Sequence, residues 1–330
     1  MTAETLKRPF QTFTASGADY EIMGSEVRAT DIDENVIESI EALANQQRLE
    51  ILVALAEQKY DEGAKTSAMP FSQLYDAVSC QSTSQFSYHL KQLVGRFVVE
   101  TEDGYQLTYA GDKVRRALFS GLYESSHTFG PVAVEGACPN CGAQSLAAYS
   151  ADGQFTVECR ECETPIVSDL FPQSIAQERS TQEIVDSFGY GIWAKYIFVR
   201  GGVCPECYGL LDTAVQQLER GEQSMSVSIN ECRRCWFTVY IPIDVVVAFH
   251  PVVIEAFWQH GVSLFDIPLW ELFEYTTTEY WNTTVRAEEP FAASVEIVLD
   301  ETEIRLSVDH QPSVTIVEKT ECQSPGVSRE

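Results

Sequence analysis

The sequence lacks long apolar runs. Its most apolar stretch, from Ile241 to Phe257, is interrupted by prolines and charged residues. A helix that crosses a membrane needs about 20 consecutive apolar residues, so we expect no membrane contact. The first residues also lack the apolar stretch of a secretion signal. These absences predict a cytoplasmic protein.

Basic residues are scarce. The chain has 22 Lys and Arg against 49 Asp and Glu, a formal net charge of -27. A field of this sign repels nucleic acids. The distribution is uneven, however, because residues 36–125 hold 8 basic and 12 acidic residues, whereas residues 126–330 hold 11 and 30. The acidic excess therefore belongs mostly to the second part of the chain.

Acidic residues are missing altogether between Ala77 and Val99. At the average density of the chain, a window of this length would hold roughly three. His89, Lys91 and Arg96 lie inside the window. This pattern predicts a surface that does not repel phosphates. The alternative is an ordinary helical core whose exposed face happens to lack carboxylates.

The stretch from Phe71 to Gly111 has the pattern of a winged helix-turn-helix, with two helices, a polar turn and two short strands joined by an acidic tip. In the second helix, apolar residues from Phe86 to Phe97 recur at helical spacing and predict a buried face. The opposite face suits the major groove of DNA, and its candidate contacts are Ser84, Gln85, Tyr88, Lys91 and Gln92. Residues expected to assist at phosphates are Thr83, Ser87, His89 and Arg96 in or after the helix, and Thr101 and Tyr105 in the wing. His89 is equally interpretable as a packing residue.

Further helices are predicted on both sides of this stretch. Val36, Ile40, Leu43, Leu49, Leu52, Val53 and Leu55 are the apolar anchors of two helices, separated by a polar turn at residues 45–47. Another helix is predicted from Tyr109 to Tyr123. We expect residues 1–31 to form a flexible arm, 32–123 the DNA-binding domain and 124–136 a linker.

Eight of the ten cysteines form four Cys-x-x-Cys pairs, which is typical of metal sites and not of disulfides in a cytoplasmic protein. Four thiolates from two tight turns can surround a Zn²⁺ ion tetrahedrally and leave no open coordination position. We therefore predict two structural Zn²⁺ sites in two zinc ribbons. The predicted ligands are Cys138, Cys141, Cys159 and Cys162 in the first and Cys204, Cys207, Cys232 and Cys235 in the second. Cross-pairing between the quartets stays an alternative, and redox chemistry is a weaker one.

The second part of the chain is predicted to be an α+β domain built on these ribbons. A capping box at Ser180–Glu183 predicts a helix between them. Nine aromatic residues between Phe249 and Trp281 form either a core or an effector or dimer surface. Three alternating stretches between Phe291 and Val317 predict a small antiparallel β meander. The expected segments are ribbon 1 (137–170), a connecting helix (171–202), ribbon 2 (203–243), the aromatic helices and meander (244–319) and a disordered tail (320–330).

The segments LANQQRLEILVAL, SYHLKQL (Ser87–Leu93) and the wing from Val98 to Leu107 together resemble the arsenic-repressor (ArsR) type of winged helix-turn-helix regulator. The sequence QFSYHLKQLVGRFV resembles the archaeal branch of that family, which has many members from halophiles. The resemblance covers about residues 33–121 and implies a homodimer that binds promoter DNA. Metal-sensing members carry Cys-x-Cys on the first helix of the motif, which this chain lacks. Cys80 lies nearby, as either a buried turn residue or an oxidant-sensitive thiol.

Taken together, the sequence predicts a transcription regulator that binds double-stranded DNA. Its zinc-ribbon half would sense a small-molecule effector or recruit the transcription machinery. The alternative is a protein-interaction adaptor that assembles through the winged helix and binds a partner through the acidic zinc domain. An enzyme is not expected, because no nucleotide-binding loop, nucleophile elbow or open metal site is recognisable.

Overall fold

The computed structural model describes residues 32–60, 68–121, 127–176, 178–220, 223–300 and 302–321. The predicted arm (1–31) and most of the predicted tail lie outside these residues. The described residues divide into two compact units, an N-terminal one of residues 32–121 with 172–174 and a C-terminal one that comprises residues 127–171 and the described residues from 175 to 321. Among the helices of the described residues, none is both long enough and apolar enough to span a bilayer.

The described residues of the N-terminal unit form five helices and one hairpin. The helices are α1 (Glu34–Leu43), α2 (Gln46–Tyr60), α3 (Phe71–Asp76), α4 (Thr83–Leu93) and α5 (Tyr109–Phe119). The antiparallel hairpin consists of β1 (Val98–Thr101) and β2 (Gly104–Leu107). As predicted, Asn45 lies between the first two helices. Pro70 precedes the third. The order of elements after Pro70 also agrees with the sequence prediction.

The core of this unit lies between α2, α3, α4 and the hairpin. Its fully buried side chains include Ile51, Leu52, Leu55, Leu74, Phe86, Leu93 and Val98. Of the anchors predicted in α2, Leu52 and Leu55 lie inside, whereas Leu49 and Val53 are half-buried. Of those predicted in α1, Leu43 packs against the core, but Val36 and Ile40 do not, because they are 48 % and 63 % exposed. The apolar face of α1 has no cover in the described part of the chain, where Ala42 is the buried residue of this helix.

The C-terminal unit contains two sheets near the cysteine pairs. One is antiparallel in chain order, with β3 (Phe129–Val134), β4 (Leu146–Ala151), β5 (Gln154–Cys159) and β6 (Pro165–Leu170). The other has β7 (Leu211–Arg220), β8 (Gln223–Cys232) and β9 (Thr238–Pro242), also antiparallel. Strands β4 and β5 are joined by a two-residue turn at Asp152–Gly153, and an Asp-Gly pair is typical of such hairpins. Strand β3 lies where we expected a linker, because an edge strand with Gly130 and Pro131 lacks the alternation that marks a strand.

A third sheet ends the chain. Its strands, β10 (Trp281–Glu288), β11 (Phe291–Leu299), β12 (Thr302–Asp309) and β13 (Val314–Glu321), pair antiparallel in sequence order. The sequence predicted only the last three. Strand β10 was missed because it is an edge strand whose side chains after Trp281 are mostly exposed, so it has no apolar alternation.

Four helices complete this unit, α6 (Thr181–Arg200), α7 (Ile243–Ala248), α8 (Pro251–Gln259) and α9 (Leu269–Thr276), with a 3-10 turn at Gln173–Ala176. The predicted capping box at Ser180 and Glu183 starts α6. Phe155 of β5 stacks on Phe188 of α6 at 3.9 Å between ring centroids. The aromatic cluster is mainly core, since its buried members include Phe249, Phe257, Trp270, Phe273 and Trp281. The α+β class with small antiparallel sheets is confirmed.

Candidate nucleic-acid interface and cysteine clusters

Helix α4 has one buried face and one polar, solvent-facing face. Ser82 caps its N-terminus by accepting a hydrogen bond from the Gln85 amide at 3.2 Å, which fixes where the helix begins. Phe86, Leu90 and Leu93 hold the helix against the core. Four of the five predicted groove contacts, Ser84, Tyr88, Lys91 and Gln92, are exposed. The structure therefore brings these four together on one surface.

Gln85 is the fifth predicted contact and lies at the edge of this surface. It is half-buried, and its Oε1 accepts a hydrogen bond from the backbone of Gln81 at 3.2 Å. Of the residues expected to assist, Thr83 is exposed and Ser87 is half-buried. Lys91 makes no ion pair with any residue in the described part of the chain, so its ammonium group faces water.

His89 corrects one prediction. It is only 7 % exposed. Like Leu90 and Leu93, it is one of the buried residues of α4. Burial, and secondarily the charge of Arg48, lowers the pKa of His89, so the ring is neutral near pH 7. A neutral, buried imidazole is a packing residue and does not contact phosphate in this conformation.

Arg96 is also less available than predicted. Its guanidinium forms an ion pair with Glu38 of α1, and its side chain is 36 % exposed. The pair links the end of α4 to the first helix. The sequence did not indicate Glu38, because the two residues are 58 positions apart.

The two predicted wing contacts use their polar atoms within the hairpin. Thr101 Oγ1 donates to the carbonyl of Gly104 at 2.9 Å, and the Tyr105 hydroxyl donates to Glu100 at 2.9 Å. Burial and then Glu100 raise the pKa of Tyr105. The exposed tip carries Glu102 and Asp103, which repel phosphate. Neither Thr101 nor Tyr105 is therefore a free phosphate contact.

Cys80 has the environment of an unreactive thiol. Burial, followed by the negative charge of Glu50, raises its pKa. A reactive cysteine needs a lowered pKa. Of the two interpretations of Cys80, the environment favours a turn residue that packs on the core.

The first cysteine quartet comes together at one end of the β4–β5 hairpin. Cys138, Cys141, Cys159 and Cys162 have sulfur atoms that all lie within 4.8 Å of one another. Two of the separations, Cys138 to Cys162 and Cys141 to Cys159, are 3.6 Å. Four sulfurs arranged tetrahedrally at 2.3 Å from Zn²⁺ would be about 3.8 Å apart. The cluster thus has dimensions that fit a metal ion.

The second quartet repeats this geometry on β7 and β8. Cys204, Cys207, Cys232 and Cys235 also lie within 4.8 Å of one another. Cys204 and Cys235 are 3.6 Å apart, and Cys207 and Cys232 are 3.5 Å apart. Each quartet is formed by pairs that are consecutive in the sequence, so the described residues bring the pairs together sequentially and not across quartets.

All four Cys-x-x-Cys turns have the same backbone. In each, the amide of the first cysteine donates to the carbonyl five residues later, at 2.8–3.0 Å. The residue after each second cysteine, Gly142, Glu163, Tyr208 or Trp236, has φ between +54° and +73°. This left-handed conformation favours glycine. Its adoption by Tyr208 and Trp236 shows how strongly the turn constrains the chain.

Polar groups surround the sulfurs of the first cluster. The backbone amide of Asn140 donates to Cys138 at 3.4 Å, and its side chain donates to Cys162 at 3.6 Å. Burial raises the pKa of Cys138 to about 12. At Cys162 burial also raises the pKa, but hydrogen bonds from Thr164 and Asn140 outweigh it and lower the pKa to about 6. Sequence reasoning missed Asn140 and Thr164, although Asn140 stands inside the first Cys-x-x-Cys pair.

Sequence comparison identifies two matching families. The model of a family described as a domain of unknown function (DUF7347) matches residues 37–118, which include α2 to α5 and the hairpin. A second, also described as a domain of unknown function (DUF7351), matches residues 135–314, more than half of the chain, and includes both cysteine clusters. No curated protein and no solved structure matches significantly. The chain belongs to the DUF7351 family.

Proposed function

We propose that the protein is a DNA-binding transcription regulator, with α3, α4 and the β1–β2 hairpin acting as a winged helix-turn-helix. The observation that supports this most directly is the exposed polar face of α4, with Ser84, Tyr88, Lys91 and Gln92 projecting from a helix whose other face is fixed in the core. Such a helix can enter the major groove, where amide, hydroxyl and ammonium groups contact base edges and phosphates.

The charge distribution supports the same proposal. The chain carries a net charge of -27, yet α4 and its flanks contain no carboxylate from Ala77 to Val99. Arg96 is paired with Glu38, so Lys91 is the exposed cation that remains on the polar face of α4 among the described residues. One cation gives modest electrostatic affinity, so specificity must come mainly from the neutral polar groups.

A homodimer is part of the proposal. Helix α1 presents Val36, Ile37 and Ile40 to solvent at 48 %, 47 % and 63 % exposure. These residues lie on one side of the helix, and an uncovered apolar face of this kind is typical of a protein interface. A second copy of the chain would cover it and place two α4 helices for adjacent half-sites.

The C-terminal unit would hold two structural Zn²⁺ ions, one in each quartet, and would form two zinc ribbons. Four thiolates fill the tetrahedral coordination of Zn²⁺, so the metal would stabilise the fold and not catalyse a reaction. This unit would sense an effector or recruit the transcription machinery in a cytoplasmic setting. Tyr208, Leu210 and Trp236, each more than half exposed near the second cluster, support partner recruitment.

The alternative function is an adaptor that assembles through the winged helix and binds a partner through the acidic C-terminal unit. The adaptor function is favoured by the exposed residues Tyr208, Leu210 and Trp236 and by the acidic charge of residues 126–330. The two functions differ in one property, since only the regulator needs sequence-specific DNA binding.

The decisive experiment is selection of bound sequences from genomic DNA in KCl, followed by affinity measurements on the selected site. We expect Tyr88→Ala to weaken specific binding about tenfold, the typical cost of a lost base contact. Lys91→Ala should weaken binding to specific and random DNA alike and lower its salt dependence. Tyr109→Ala, at a tyrosine that is 74 % exposed on α5, is the matched control and should change neither.

Two results would count against the regulator. Specific binding that survives both Tyr88→Ala and Lys91→Ala would contradict the assignment of α4 to the groove. Failure to select any sequence above random DNA would favour the adaptor.

A further inference from the structure

The C-terminal unit contains a half-buried carboxylate that has no positive partner among the described residues. Asp244 lies in the first turn of α7, and its Oδ1 accepts hydrogen bonds from the indole Nε1 of Trp281, at 2.7 Å, and from the hydroxyl of Thr283. No Lys, Arg or His pairs with Asp244 in the described part of the chain. Burial raises the pKa of this carboxyl. Buried carboxylates usually have a cation or several donors beside them.

The second oxygen of Asp244 faces no hydrogen-bond donor from another described residue. Asp244 is one of the residues that line a pocket of about 270 Å³ beside the β7–β8 hairpin. None of the other described residues that line this pocket is ionisable. The described lining of the pocket therefore has one ionisable group, and that group is a carboxyl.

The rest of the pocket wall is polar but neutral on one side and apolar on the other. Hydroxyl and amide groups come from Asn140, Gln217, Ser224, Ser226, Thr276, Thr277 and Thr283. Apolar surface comes from Leu218, Met225, Phe273 and Val285. Such a wall matches an organic molecule that has both hydrogen-bonding groups and a hydrocarbon part.

A metal ion does not match this wall. Ca²⁺ sites take six to eight oxygen ligands, with carboxylates among them, whereas Asp244 is the single carboxylate among the described residues that line this pocket. The volume also exceeds what an ion needs, because a single water molecule needs only about 10–15 Å³ on this scale. An ammonium group, with three N–H donors, could pair with Asp244 and still reach neighbouring hydroxyls.

We propose that this pocket binds a small organic amine, whose protonated nitrogen pairs with Asp244 while its remaining atoms contact the hydroxyl, amide and apolar groups of the wall. The net charge of -27 adds to the attraction for cations. Binding at this pocket does not depend on DNA binding, so the two proposals can fail separately.

The test is titration of the full-length protein with ethanolamine and with ethylene glycol, its neutral counterpart of the same size, in constant KCl at neutral pH. We expect ethanolamine to bind at least tenfold more tightly, as is typical of a hydrogen-bonded charge pair. The indole N–H resonance of Trp281, which donates to Asp244, should shift on binding and thereby locate the ligand. This comparison needs no variant and so does not depend on how a variant folds.

Two variants complete the test. Asp244→Asn keeps an oxygen for Trp281 and Thr283 but removes the charge, and we expect it to weaken ethanolamine binding about tenfold without affecting ethylene glycol. Asp266→Asn removes an exposed carboxylate from the same unit and should leave both affinities unchanged. Equal binding of the two probes, or ethanolamine binding that survives Asp244→Asn, would overturn the proposal. Ammonium chloride that competes as well as ethanolamine would reduce the pocket to a simple cation site and overturn the organic part.

Discussion

Gly104 shows how a single residue determines the β1–β2 hairpin. Its φ is +130°, and a Cβ placed there would lie 2.4 Å from the carbonyl oxygen of Met69. Met69 and Tyr105 exchange two backbone hydrogen bonds at this point, of 2.8 and 2.9 Å. Only glycine permits both the conformation and the close approach.

Gly104→Ala should therefore destabilise the hairpin. Gly95 is a matched control, because its φ is +90° but no atom lies within 4 Å of a Cβ built there. We expect Gly95→Ala to cost about 1–2 kcal/mol of backbone strain, and Gly104→Ala to cost more because a steric clash adds to the strain. Amide hydrogen exchange at Met69 and Tyr105 directly measures how much of the hairpin's protection each variant loses. Equal loss of protection in the two variants would show that the contact with Met69 does not matter.

At the scale of elements, Asp244 links helix α7 to strand β10 through Trp281 and Thr283. Trp281 and Thr283 donate to this carboxylate, and the other described residues that line the pocket are uncharged. The folded pKa is raised above its ordinary value of 3.8. For an acid with a raised pKa, the stabilisation is fully present below the unfolded pKa and is lost as the pH rises through the folded pKa.

The difference in stability between the wild type and Asp244→Asn should therefore depend on pH. The wild type should be relatively most stable below about pH 3.8 and should lose that advantage as the pH rises, by about 1.4 kcal/mol for each unit by which the pKa is raised. Thermal unfolding of the two proteins between acidic and neutral pH tests this. The difference in stability between the wild type and Asp266→Asn should not show this dependence on pH. A flat difference for Asp244→Asn would mean that the carboxyl titrates normally.

At the scale of the whole molecule, we expect the two units to depend on metal to different degrees. Both cysteine quartets belong to the C-terminal unit, where they join the β4–β5 and β7–β8 hairpins. The N-terminal unit has its own core of residues such as Leu52, Phe86 and Leu93. Since structural Zn²⁺ contributes folding free energy directly, its removal should act on one unit.

Removing the metal with a chelator and then blocking the freed thiols should increase amide hydrogen exchange in β4, β5, β7 and β8. Helices α2 and α4 should stay protected. Elemental analysis should find two Zn²⁺ ions per chain, about one in Cys138→Ser and two in Cys80→Ser. An equal rise in exchange in both units would contradict an independent N-terminal core, and unchanged metal content in Cys138→Ser would contradict the first site.

The sequence by itself determined the local features of this protein. Helical spacing from Phe86 to Leu93, the capping box at Ser180 and the turn at Asp152 were predictable because each depends on residues close together in the chain. The four Cys-x-x-Cys pairs were recognisable for the same reason, since the tight turn of each is encoded within a few residues.

Only the tertiary structure decided which candidate residues remain available. His89 is buried, Arg96 is paired with Glu38, and Tyr105 is bonded to Glu100. The tertiary structure also brings the cysteine pairs together in sequential order. Around Asp244 it places a pocket lining whose other described residues are uncharged. These outcomes depend on contacts between distant segments, and neither periodicity nor composition specifies which side chain a distant neighbour will cover.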